Sequence, residues 1–125
     1  MTPAELRARV AAALEPLDPD WAVADGPVDS ITPPAFLLVW ADPWLLPQAV
    51  CSYRASLDVV AISARIEPLP GIETIEALVA AALPALSGAG VGFVQVGAPA
   101  QFEIGGLQHL AARITVSSPV TLGGS

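Results

Sequence analysis

Residues Val50–Ile66, VCSYRASLDVVAISARI, decide the fold of this 125-residue chain. Tyr53, Ala55, Leu57, Val59 and Ala61 recur at every second position, so they share one side of a strand. Arg54, Ser56 and Asp58 begin the other side, which turns apolar at Val60 and Ile62. The spacing predicts a strand solvated on one face in its first half and covered on both faces in its second. Pro68 and Pro70 end it.

Upstream lies Ala35–Ala41, AFLLVWA, a continuous apolar run of strand length that suits burial on both faces. Asp42-Pro43-Trp44-Leu45-Leu46-Pro47 then reads as a departure from the sheet. Farther upstream, Trp21–Ala24 predicts a short strand, Asp25-Gly26-Pro27 a turn, and Pro27–Pro34 a structured loop. The N-terminus predicts a helix over about Pro3–Glu15. Thr2 can cap it, Pro3 needs no N–H there, and Glu5 completes a T-x-x-E capping box. Leu6, Val10, Ala13 and Leu14 form its apolar face, and Pro16 and Pro19 end it.

Downstream, a second helix is expected over about Ile72–Leu86. Its stripe is Ile72, Ile75, Val79, Leu83 and Leu86, with Glu73 and Glu76 in the first turns and Pro84 near its end. Val91–Val96 and Gln101–Ile104 read as strands. Gly105-Gly106 suits a hairpin turn into Leu107–Ser117. The last residues, 119–125, read as a flexible tail. The order helix, strands, helix, strands predicts an α+β fold: one domain over residues 1–125, a mainly antiparallel sheet, and two amphipathic helices packed on one face. The other face must then meet water or another subunit.

Length permits a core without disulfide or metal, since a chain of this mass buries about two-thirds of its unfolded surface. Hydrophobic residues make up 54% and charged residues 14%, against a usual charged share of about 25%. That excludes intrinsic disorder and leaves few polar groups to cover a lone small globule. The net charge is −7, and all five basic residues are arginines: Arg7, Arg9, Arg54, Arg65 and Arg113. Without clustered Lys/Arg, neither nucleic acid nor an anionic membrane surface is an expected partner. No basic-then-apolar leader is seen, and the apolar run Ala77–Leu86 is short for a bilayer and holds Pro84. Cys51 is the single cysteine, read as a small buried hydrophobe in a soluble chain made in a reducing compartment.

Chemistry-bearing patterns are sparse. Gly88-Ala89-Gly90-Val91-Gly92 follows a helix and precedes a strand, the reverse of a phosphate-cradling loop, so it reads as a helix terminator. His109 is the only histidine, and no nucleophile-elbow pattern surrounds Ser30 or Ser63. A small enzyme or ligand-binding domain would use His109 and Arg113 at one pocket. Metal-ligand spacings are missing, and no enzyme activity, cofactor or metal site is expected.

The aromatic placement says more. Trp40 and Trp44 flank Asp42-Pro43, followed by Leu45 and Leu46. These residues either fold back onto the core or form a subunit contact, where aromatic anchors on Pro-bounded loops are favoured. The apolar excess favours the contact. The strand around Val91–Val96, with Phe93, offers a sheet edge for strand addition. The candidate interface residues are therefore Trp40, Trp44, Leu45, Leu46 and Phe93.

The stretch Pro27-Val28-Asp29-Ser30-Ile31-Thr32-Pro33-Pro34 running into Phe36–Trp40 resembles the tail terminator proteins of long-tailed (siphovirus-type) actinobacterial phages. So does the Cys51–Arg65 strand leading to Glu67-Pro68-Leu69-Pro70-Gly71 and an Ile/Glu/Leu/Val helix. The likeness spans roughly Leu6 to Val116 and lies in element order and loop chemistry. It implies a homo-oligomeric ring, usually a hexamer, that caps the tail tube, ends its polymerisation and joins it to the head-completion (stopper) protein. The implied partners are further copies, the major tail tube protein and the stopper. DNA would pass through the lumen without specific binding. The implied location is the virion neck, after assembly in the host cytoplasm. Another head-to-tail connector protein is the alternative.

Overall fold

Thr2 opens the first helix as its sequence requires. Its hydroxyl accepts the Glu5 N–H at 3.2 Å, and the Glu5 carboxylate accepts from the Thr2 N–H at 3.4 Å, a reciprocal capping box. A computed structural model describes residues 1–26, 32–49, 52–64, 68–104 and 106–122. Helix α1 spans Pro3–Leu14 and buries Leu6, Val10 and Leu14. The expectations for Cys51, for most of the Pro27–Pro34 loop and for Gly105 fall outside the described residues.

The strands are β1 (Ala22–Asp25), β2 (Ala35–Ala49), β3 (Ser52–Ile62), β4 (Gly92–Val96), β5 (Ala100–Ile104) and β6 (Leu107–Val120); helix α2 (Pro68–Gly88) separates β3 from β4. The sheet order is β1-β2-β3-β6-β4, with β5 paired to β6 beside β4. Among the described residues, only β1 and β2 are parallel; the other ladders are antiparallel. The fold is thus α+β, a mostly antiparallel six-stranded sheet with two helices.

The central strand alternates as its sequence predicts. Ala55, Leu57, Val59 and Ala61 join Phe36, Leu38, Ile114 and Val116 in a core closed by Leu6, Val10 and Leu14 of α1 and Leu78, Ala82 and Leu86 of α2. Both helices therefore cover one face. On the open face, Leu37, Val60, Ile62 and Ala111 make a smaller apolar cluster under Val39, Phe102 and Ile104. The open face is thus partly roofed by the β5–β6 hairpin rather than left wholly to water or a subunit. Asp58, expected to be solvated, is only 4% exposed. Thr115 and Arg113 on the neighbouring strand bond its carboxylate and replace its water.

Three boundaries differ from the sequence expectation for physical reasons. β2 does not leave the sheet at Asp42. Its register breaks between Trp40 and Leu45, then Leu45, Leu46 and Pro47 pair again with Ala55, Arg54 and Tyr53. Pro43 sits where no ladder partner is needed, and Pro47 lies where β1 no longer flanks β2, so neither proline forfeits a bond. α2 begins at Pro68 rather than Ile72, because proline is tolerated in a first turn. Glu73 and Glu76 consequently lie beyond that turn. β6 runs through Val120 rather than loosening at residue 119. Pro119 and Val120 pair with Arg54 and Tyr53, Val120 is buried, and the Thr121 N–H donates to the Met1 carbonyl at 2.8 Å.

The longer α2 also changes its apolar reading. Leu69–Gly88 holds an 18-residue window of mean hydropathy 1.4 and is long and apolar enough to cross a membrane by length and composition, which the shorter expected helix was not. Here it lies on the sheet, with Ile75, Leu78, Ala82 and Leu86 buried. Only 28% of its most apolar window is buried, so much greasy surface stays on its flanks.

Candidate functional site

Two edges of the sheet hold much of the uncovered apolar surface; Leu69 and Ile72 of α2 and Leu107 at the start of β6 hold the rest. Among the described residues, β4 is a terminal strand, paired only with β6. All five of its residues are exposed and none carries a charge. Phe93, Val94 and Val96 are 44%, 58% and 46% exposed. A register shift between Phe93 and Gln95 marks a bulge at Val94, the one edge-protecting device on a strand lacking charge or proline. Beside it, Ile75, Val79, Ala80 and Leu83 of α2 and Val96, Pro99 and Ala112 line an open groove of about 410 Å³, with Glu76 at its rim.

The second edge is the upper half of β2. β1 flanks it only from Ala35 to Leu38, so the edge from Val39 onward has no strand beside it among the described residues. The irregular stretch between Trp40 and Leu45 lies there. The structure divides the four residues predicted in this stretch. Trp40 and Leu45 turn inward and pack against the main core. Trp44 packs outside Trp40, the rings tilted by 44° with centroids 4.8 Å apart, and remains 39% exposed. Leu46 points to the open face and is 47% exposed. Trp40 and Leu45 therefore fold back onto the core, whereas Trp44 and Leu46 stay exposed. Arg7 of α1 reaches this edge, 6.0 Å from the Trp40 ring and paired with Asp25 at 3.3 Å.

Between the edges runs a shallow trough on the open face, about 370 Å³. Its floor is Ser56, Asp58, Arg113 and Thr115, and its walls are Pro43 and Leu46 on one side and Val94 and Gln95 on the other. Thr115 donates to Asp58 Oδ1 at 2.6 Å, Arg113 donates to Asp58 Oδ2 at 3.0 Å, and Arg54 donates to Ser117 at 2.9 Å. The Arg113 guanidinium also lies 4.8 Å from the Phe102 ring. These bonds use the polar groups on one another and make a rigid tie between β3 and β6.

His109 and Arg113 do not share a pocket. His109 sits opposite Phe102 in the β5–β6 hairpin, beside a hollow of about 70 Å³ formed with Gln101, Gln108 and Leu110. Ser63 is buried just after β3, its N–H donating to the Leu110 carbonyl. Among the described residues, no three His, Cys, Asp or Glu side chains converge where a metal could be held. The glycine cluster ends α2: the Gly90 N–H donates to the Ser87 carbonyl, with Gly90 at a φ of 81° that favours glycine. No family model matches the chain, and no curated protein is detectably similar to it.

The sequence pointed to Phe93 and to the Val91–Val96 edge. It did not single out Leu69, 66% exposed, or Leu107, 65% exposed. Their signal was composition alone, because an apolar residue near a proline or glycine reads equally well as core.

Proposed function

We propose that the chain is a structural subunit of a phage tail, a tail-terminator-type protein that closes into a ring on the tail tube and joins it to the head-completion protein. The observation that carries this reading is the placement of the apolar excess. Much of it lies on two unlike edges of one sheet rather than inside a cleft, and β4 offers a wholly exposed, uncharged strand. Monomeric domains rarely leave such edges bare. A subunit with two different sticky edges fits heterologous association, which generates rings when the rotation closes. The net charge of −7 suits a wall along which DNA slides without sticking. The polar trough is internally bonded and half-open, which suits a structural tie better than a reaction site.

Electron cryomicroscopy of the neck of a phage particle assembled with this chain tests the reading. A closed ring of this protein between tail tube and head is expected. A complete neck without it removes the proposal.

A further inference from the structure

We infer that the ring contact pairs β4 of one copy with the Val39–Trp44 edge of β2 in the next, extending one antiparallel sheet from subunit to subunit. This rests on the ring reading above and names the surfaces that build it. Three observations carry it.

Strand direction comes first. β2 is antiparallel to β3, β3 to β6 and β6 to β4, so β4 runs opposite to β2. Rotation about an axis along the strands preserves both directions. The incoming β2 edge therefore meets β4 antiparallel, the more stable ladder.

Level comes second. Phe93 lies opposite Val116, Val116 opposite Leu57, and Leu57 opposite Trp40. One row of side chains thus crosses the helix-covered face from the exposed phenylalanine at one edge to the tryptophan pair at the other. A ring has no axial rise, so a neighbour arrives at the same level. Its Trp44, packed against Trp40, then reaches Phe93 and the apolar groove beside α2. Likewise Gln95 lies level with Thr115, Asp58 and Val39 on the open face.

Charge comes third. Glu76 at the groove rim is exposed and in no ion pair among the described residues. Val96 of the same groove is level with Ile114, Val59, Leu38 and Asp25, the partner of Arg7. Head-to-tail contact therefore turns Arg7 of the neighbour towards Glu76. A two-fold contact of β4 with β4 would instead bring the two Glu76 flanks together and leave the tryptophan edge bare.

Disulfide trapping tests the pairing. Ladder-opposed residues have Cβ atoms about 4.5–5.5 Å apart, near the range a disulfide spans. In a Cys51→Ser background, Val39→Cys and Gln95→Cys are each oxidised alone and as an equimolar mixture. A covalent dimer is expected only in the mixture, and Val94→Lys added to the Gln95→Cys partner should abolish it. Should Val39→Cys melt early, Ala41→Cys with a short bismaleimide replaces it. A dimer from Gln95→Cys alone means two-fold edge pairing and overturns the inference. No cross-link in the mixture, while the unaltered chain sediments as a multimer, overturns the pairing but leaves the ring reading standing. No cross-link and a monomer at every concentration overturn both.

Discussion

The second half of β3, DVVAI, and the strand β4, GFVQV, have similar valine-rich sequences and opposite fates. Every residue from Asp58 to Ile62 is buried, whereas every residue from Gly92 to Val96 is exposed. The difference lies in position. β3 sits between β2 and β6 under both helices, while β4 ends the sheet and α2 stops short of covering it. Burial here follows sheet order, which arises from long-range pairing, and not local composition. Part of the apolar surplus of the chain is thus stored at this edge. Covering a Val or Phe side chain is worth about 1.5–3 kcal/mol, so this edge holds a driving force for association that the central strand has already spent on folding.

Truncating the core should separate the two regions most sharply. Phe36→Ala, fully buried and edge-to-face with Trp21 at 5.9 Å, should lose about 3–5 kcal/mol. Thermal melting would show this as a fall of roughly 10–20 °C. Val94→Ala on the edge should leave melting within a degree or two.

The polar tie between β3 and β6 gives the next effect, and it is asymmetric. Arg113→Ala strands the buried Asp58 carboxylate with Thr115 as its one remaining partner, a loss of about 3 kcal/mol in urea unfolding. Asp58→Ala leaves the arginine, half in water, free to be solvated and should lose only about 1–2 kcal/mol. Equal losses would mean that the carboxylate is not sealed. Thr2→Ala, which removes the cap of α1, should lose about 1 kcal/mol by the same assay.

Smallest of all for folding is Val94→Lys, expected within about 0.5 kcal/mol of the unaltered chain. Its effect appears in analytical ultracentrifugation, where self-association should disappear while the melting curve stays put. A variant that melts early instead would place Val94 in the folding core.

Much of the fold was legible because its signals are local. The T-x-x-E box sets the start of α1, and the two-residue period of Tyr53–Ile62 assigns the core face of β3 without reference to its strand partners. Other features depend on residues far apart in the chain. Asp42-Pro43 reads as an exit from a strand unless Ala55, Arg54 and Tyr53 are seen to recapture Leu45, Leu46 and Pro47. Asp58 reads as wet until Arg113 and Thr115 arrive 55 and 57 residues later. The interface candidates show the same limit. The density of large apolar groups around Trp40–Leu46 was plain, but which of them face inward depends on the register after the irregularity, and only Trp44 and Leu46 stay outside.

Hydrogen exchange at the amides of Gly92–Val96, followed from dilute to concentrated solution with β3 as internal reference, tests the central claim most directly. The account predicts that β3 amides exchange slowly throughout, while the outward-facing amides of β4 pass from fast to slow as copies dock. Fast exchange along β4 at every concentration, in a sample whose mass shows it to be assembled, would contradict it.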